Sequence, residues 1–462
     1  MSSQQKDQVM PDKDSFYYAP WERAYQRIAT PFEEFIHRQT TTGILLMVCA
    51  VIALVIANSP YVDAYNQLLH SKMAISIGSW KIEHSLHHWI NDGLMTIFFF
   101  VVGLEIKREV LVGELSSINN ALLPVIGAVG GMVVPALLYL WVTGDTENAK
   151  GWGIPMATDI AFAVGVMALL GKRVPRALLT FLVALAIVDD LGAVTVIALF
   201  YTDTINTSYL GAALIILVAM IAINLMGIRR PLPYFILTTV LWIAMEGSGI
   251  HATIAGILAA WTVPAYSRYL PRDFSKKIRK LTDKFDDYEQ SDKPLINNPL
   301  QSTVTWRLSE TISLAMSPLQ KLETMLHIPS TYLVIPVFAL ANAAIPLSYE
   351  AIGNMLESTI ALGIGVGLVF GKLVGIAGSV ILAEMMGVGQ FPKGVQRSHI
   401  IGAALLAGIG FTMSIFISEL AFIWDGRLVE EAKMGILAAS LVSGLTGYAW
   451  LRWVAPSAEE SN

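Results

Sequence analysis

The chain has 462 residues, 54% of them apolar and only 15% charged, with a mean hydropathy of +0.57. This composition excludes an ordinary soluble domain and indicates a polytopic helical membrane protein. A net charge of −5 offers no basic surface for nucleic acid, and a lone cysteine, Cys49, rules out internal disulfides and argues against a Cys-ligated metal site.

Residues 1–18 read as disordered. Trp21, Tyr25, Ile28 and Phe32 share one helical face, so 21–37 reads as an amphipathic helix on the membrane surface. The polar start lacks the pattern of a secretory signal, and the apolar run from Thr41 is a retained first span over 41–58. Two alternating runs around Gly78-Ser79 predict a β-hairpin over 73–83, too small to be stable alone and suited to pairing with a second copy.

Spans 2 to 5 are expected over 86–104, 121–142, 153–170 and 177–201, and spans 6 to 8 over 209–227, 233–246 and 250–264. Residues 265–328, with alternating charge from Lys276 to Asp287, read as a solvated, partly disordered polar loop. Spans 9 to 12 follow over 331–347, 358–385, 398–421 and 434–452, within a second membrane block at 329–453 and before a short tail at 454–462. The short segments on the side of the termini carry 15 Lys and Arg, against 5 on the opposite side. That asymmetry predicts cytoplasmic termini and a cytoplasmic 265–328 segment.

Few ionisable residues lie inside the spans. Asp189 and Asp190 stand mid-span in 177–201, where each charged Asp costs about 2.5–3.5 kcal/mol on insertion scales. Asp159 lies early in span 4 and Lys372 is central in span 10, while Asp92 and Glu105 lie nearer the ends of span 2. Such acids could be a structural pair bonded to a neighbouring helix, or a cation and proton site. Three core acids against one core base leave a negative surplus, which a cation from water would relieve.

Spans 4 and 11 are both interrupted, by Gly151, Gly153 and Pro155 in one and by Gly408, Gly410, Thr412 and Ser414 in the other. These glycines could simply ease packing, but matching interruptions in two halves point to the binding site of a secondary transporter. Positive helix N-termini would suit Asp159, and negative C-termini Lys372. Gly363, Gly367, Gly371 and Gly375 form a small-residue packing stripe, and Val366 prevents Gly371-Lys372 from completing a phosphate-binding loop. His251, at a span entrance, is either a bonded structural group or a proton sensor.

The runs Gly103-Leu104-Glu105-Ile106-Lys107-Arg108-Glu109, Ala157-Thr158-Asp159-Ile160-Ala161-Phe162-Ala163, Ala184 to Ala193 and Gly408 to Ile417 closely resemble the NhaA sodium/proton antiporter family. This family is itself a standard instance of inverted-repeat transporters with broken helices. The resemblance implies an all-α inner-membrane protein of twelve transmembrane helices, with spans 3–5 and 10–12 as inverted repeats and spans 4 and 11 crossing. It implies electrogenic, pH-regulated expulsion of Na+ or Li+ against protons, with no enzyme activity and no cofactor. Asp189 and Asp190 would bind the transported ion, Asp190 foremost; on the preference of Na+ for oxygen, Thr158 and freed backbone carbonyls are the candidates to complete its shell. Asp159 and Lys372 would compensate the charged helix ends, and Lys372 could also pair with Asp189. Glu105, Glu109, Glu323 and His327 would form the pH-response region, with His251 near the other face, and hairpin 73–83 would make a homodimer. Two departures from the family bear on the pH set point: a single histidine in Glu323-Thr324-Met325-Leu326-His327, and the long preceding segment. A proton-coupled small-solute symporter or a cation channel are the alternatives; the acid-bearing spans offer little Arg or aromatic lining for a solute, and the acids occur once, without a ring of repeats.

Overall fold

The computed structural model describes residues 39–77, 80–144, 147–202, 205–289, 295–347, 353 and 355–456. The expected surface helix at 21–37, the turn Gly78-Ser79 and the last residues of the C-terminal tail fall outside them.

The first apolar run folds as α1, Gln39–Ala57, which ends where Asn58 bonds Leu54 O and reaches Ile345 O at 3.0 Å. A short α2, Val62–His70, leaves it at 111°. Strands β1, Lys72–Ile77, and β2, Trp80–Ser85, pair antiparallel with Ile75 opposite Ile82. Alternation thus produces the expected hairpin, one residue or two longer than read. Hydrogen bonds and charge from Lys81 and Lys72 hold the exposed Glu83 carboxyl below its usual range.

A wide helical turn, Trp89–Leu94, opens α3, Met95–Val112. Then come α4, Ile118–Thr143, and a 3-10 segment, Glu147–Met156, that breaks before α5, Ile160–Leu169. The acidic α6, Arg176–Phe200, is followed by α7, Thr207–Leu225, α8, Pro231–Ser248, and α9, Ile254–Thr262. At nine residues, α9 rises about 14 Å, too short to cross a bilayer as a regular helix. The reason lies upstream: Gly249, in the left-handed region at φ +81°, ends α8, and the chain turns through His251 before α9 begins.

The 265–328 segment is not an irregular loop. It contains α10, Pro271–Asp287, and α11, Pro299–Ala315, packed on each other, and the start of α12, Pro318–Asn342. Phe274, Ile278, Leu281 and Phe285 form an apolar stripe at helical spacing beneath the alternating charges of α10. Proline opens all three helices, and Ser317 with Gln320 forms a capping box on α12. The chain closes with α13, Thr359–Met385, α14, Arg397–Ala407, α15, Phe411–Ala421, and α16, Gly426–Val454.

Among the described residues, six helices are long and apolar enough to cross a membrane, or nine if each sharply bent pair counts as one span. The protein is therefore a mostly helical, multi-span membrane protein with one small hairpin. Of the twelve expected spans, those at α3, α8 and α9 fall outside that count; α3 carries Glu105, Lys107, Arg108 and Glu109 near its end, and α9 is short. The buried core has two main parts. A larger one joins α1, the start of α3, α4, α5, α6, the second half of α12 and α13 to α16, and a second joins the rest of α3, α7, α8, α9 and the start of α12.

Candidate functional site

Two helix breaks meet inside the larger core. The segment Glu147–Met156 bends 43° into α5, and α14 bends 45° into α15. Glycine is needed at the second break because a Cβ on Gly408 would come within 2.5 Å of the Leu368 carbonyl oxygen. At the first, Pro155 and the extended Asp159 (φ −84°, ψ 99°) interrupt the helix.

Asp159 connects the two breaks. Its Oδ1 accepts the Phe162 N–H at 2.9 Å, capping α5, and its Oδ2 accepts the N–H and hydroxyl of Thr412 at 3.1 and 2.5 Å, meeting the first turn of α15. One carboxylate therefore serves the positive ends of two helices. The carbonyl ends are met by hydrogen bonds. Asp159 N–H donates to Ile409 O at 2.7 Å, Thr158 Oγ1 to Ala407 O at 2.8 Å, and Ser414 Oγ to Ile154 O at 2.8 Å. Phe411 N–H donates to Ser440 Oγ at 3.2 Å.

Asp189 and Asp190 come from the middle of α6, each only 1% exposed. Lys372, fully buried, enters from α13 and donates to Asp189 Oδ2 at 2.6 Å. The lysine reaches inward because α13 lies hard against α4: a Cβ on Gly371 would come within 2.7 Å of Pro135 Cα. The stripe of glycines on α13 is thus a packing surface, as its spacing suggested. Thr158 flanks Asp189. Asp189 Oδ1 and Asp190 Oδ1 are buried without a hydrogen-bond partner. Leaving a buried polar atom unsatisfied costs about 1–3 kcal/mol, more if charged, so such a pair calls for an explanation.

A cavity of about 530 Å³ supplies part of it. Its lining includes the buried Asp190, Asp159 and Thr412 and the partly exposed Glu105, Arg108, Glu109, Glu323 and His327. Those outer residues are knitted together. Arg108 bridges Glu323 at 3.0 Å and Glu109 at 2.9 Å, and His327 Nδ1 lies 3.4 Å from Glu105. With His327 more than half exposed, the cavity reads as a funnel from a polar mouth to Asp190.

The structure thus gathers Asp159, Asp189, Asp190, Lys372, Thr158, Gly408, Gly410 and Thr412 at the break, and Glu105, Glu109, Glu323 and His327 at the mouth. His251 stands apart from both groups, its Nε2 2.6 Å from Tyr201 O. Lys372 has Asp189 as its hydrogen-bond partner, and among the described residues no helix-end carbonyl bonds it. Sequence reasoning placed Ser414 at the break without its partner Ile154, and missed Ser440 and Arg108. A single serine in an apolar helix carries no signal of its own, whereas Arg108 stood in a charged run that could have been paired with Glu323.

The profile of the Na+/H+ antiporter 1 family matches residues 33–451. The Na(+)/H(+) antiporter NhaA of Sulfurimonas denitrificans is 50% identical over 441 residues, covering 96% of this chain and 99% of that protein. The Na(+)/H(+) antiporter NhaA 1 of Saccharophagus degradans is 48% identical over 431 residues, 93% of each. With a match across nearly the whole chain, this protein belongs to the NhaA family of Na+/H+ antiporters.

Proposed function

We propose that this transporter expels Na+ or Li+ in exchange for protons, and that both cargoes compete for Asp190 and its neighbour Asp189. The observation that carries this reading is the pair of buried carboxylate oxygens without hydrogen-bond partners, one of them on Asp190 at the inner end of the funnel. Na+ is a hard cation that prefers oxygen ligands. Thr158 Oγ1 donates its proton to Ala407 O and so keeps lone pairs free to join the shell. A carboxylate that holds a proton does not hold Na+, so exchange needs no further coupling device. Lys372 positions Asp189 through their hydrogen bond, while Asp159 holds the two breaks together.

The family supports the finer architecture: twelve spans counting α3, α8 and α9, with inverted repeats that cross at the two breaks. The bacterial relatives support an inner-membrane location and the Lys/Arg asymmetry supports cytoplasmic termini; in that orientation the funnel mouth faces the cytoplasm. There the Arg108–Glu323 and His327–Glu105 pairs are suited to set the pH response. The outward-facing Met73 and Ile75 of β1, each about half exposed, suit the hairpin to pairing with a second copy.

The test is cation-induced proton movement in everted vesicles, measured across pH with Na+, Li+ and K+ in turn. Na+ and Li+ are expected to dissipate ΔpH with saturation, and the flux to reverse with the imposed proton gradient. No dissipation by either ion, or an unsaturable leak equal for all three, would refute exchange.

A further inference from the structure

Far from the funnel, at the opposite end of α3, side chains from three elements converge. His84 comes from β2, His88 from the single helical turn Leu86–His88 just before the wide turn, and Glu246 from the last turns of α8. Glu246 Oε1 lies 2.8 Å from His88 Nε2 and 3.6 Å from His84 Nε2, and one donor atom from each residue falls within 4.8 Å of the others. The two imidazoles stack with centroids 4.1 Å apart. One helical turn beyond, Asp92 Oδ2 sits 3.1 Å from His88 Nδ1. From residue 88 to residue 105 the helix rises about 25 Å, and none of these side chains lines the funnel.

We propose that His84, His88 and Glu246 form a three-ligand site for a divalent transition metal, best matched by zinc. Two imidazole nitrogens and one carboxylate oxygen are a donor set that zinc takes with a fourth position left to water. At zinc–ligand distances of about 2.0–2.2 Å, tetrahedral ligands stand about 3.3–3.5 Å apart, and the two His–Glu distances bracket that value. Asp92 supplies the outer partner: by accepting the Nδ1 proton of His88 it turns the Nε2 lone pair toward the metal. All three side chains are 20–34% exposed, so an ion can enter from solvent. A simple His88–Glu246 ion pair would not account for a second histidine aimed at the same oxygen. Transported Na+ does not fit, because it favours all-oxygen shells over imidazole. Bound metal would fasten the hairpin to α8.

The test uses full-length protein in detergent, its affinity tag removed, titrated with zinc chloride near neutral pH by calorimetry and thermal shift. Saturable binding of one zinc per chain is expected, with a rise in Tm that EDTA reverses and Mg2+ does not reproduce. His84→Gln, a change on a partly exposed strand, and Glu246→Gln should each weaken binding at least about tenfold, and Asp92→Asn by about 10–100-fold. Size-exclusion chromatography verifies that each variant remains folded. Wild-type zinc affinity and Tm shift in both His84→Gln and Glu246→Gln would overturn the site, as would absence of saturable binding at millimolar zinc.

Discussion

Asp159 and Asp190 lie in the same buried core, yet their oxygens meet opposite surroundings. Both oxygens of Asp159 accept hydrogen bonds from helix N-termini, and the residue holds two broken helices in place. Asp190 Oδ1 has no partner and its side chain borders the funnel, while Asp189 shares one oxygen with Lys372 and leaves the other unbonded. Burial alone therefore does not mark a transport residue. On the function proposed above, a carboxylate whose bonds are complete belongs to the frame, and one left incomplete at the funnel is open to a cation.

The strongest way to break this contrast is Asp190→Asn. Sodium-dependent ΔpH dissipation in everted vesicles should fall to background while the amount of protein in the membrane is unchanged. Near-wild-type exchange would show that the incomplete carboxylate is not the site. Lys372→Ala tests the shared oxygen next. It strands a buried charge, and breaking such a pair costs about 3–5 kcal/mol; Tm should drop, with partial recovery when Asp189→Asn is added in the same chain. No recovery would mean that the lysine acts on something other than Asp189.

Asp159→Asn is expected to be milder, because the amide oxygen can still cap one helix while the other loses its acceptor. A loss of about 1–3 kcal/mol is expected in detergent unfolding, with exchange slowed rather than abolished. A variant as dead as Asp190→Asn but fully stable would erase the distinction between frame and site. The smallest effect belongs to Glu323→Gln at the mouth. Its half-exposed partner Arg108 makes the bridge worth no more than about 1 kcal/mol, so stability should hold, while the pH profile of exchange shifts and its maximum stays. An unmoved profile would remove Glu323 from the pH response.

The parts of this architecture that were legible in the sequence are those that are costly in lipid. Charges in apolar runs, and glycine or proline with hydroxyl residues inside spans, have few other uses there, so Asp159, Asp189, Asp190, Lys372 and both breaks could be found by their cost. The hairpin was legible through its alternation. The partners that complete the crossing were not: Ser414 could be placed at the break but its acceptor Ile154 O could not, and Ser440 becomes informative only once Phe411 lies beside it. The helices of 265–328 were hidden by their charges: the alternating signs on α10 signalled solvation, whereas its stripe of Phe274, Ile278, Leu281 and Phe285 decides its fold. The three residues of the hairpin-side cluster come from separate elements and carry no shared motif.

Proton release on cation binding tests the competition at Asp190 most directly. Purified protein in weakly buffered detergent is titrated with Li+ or Na+ near the pH of half-maximal exchange, and the protons released are counted. Competition requires that binding release protons in the wild type, and that the release vanish in Asp190→Asn. Cation binding without proton release, or release undiminished in Asp190→Asn, would contradict it.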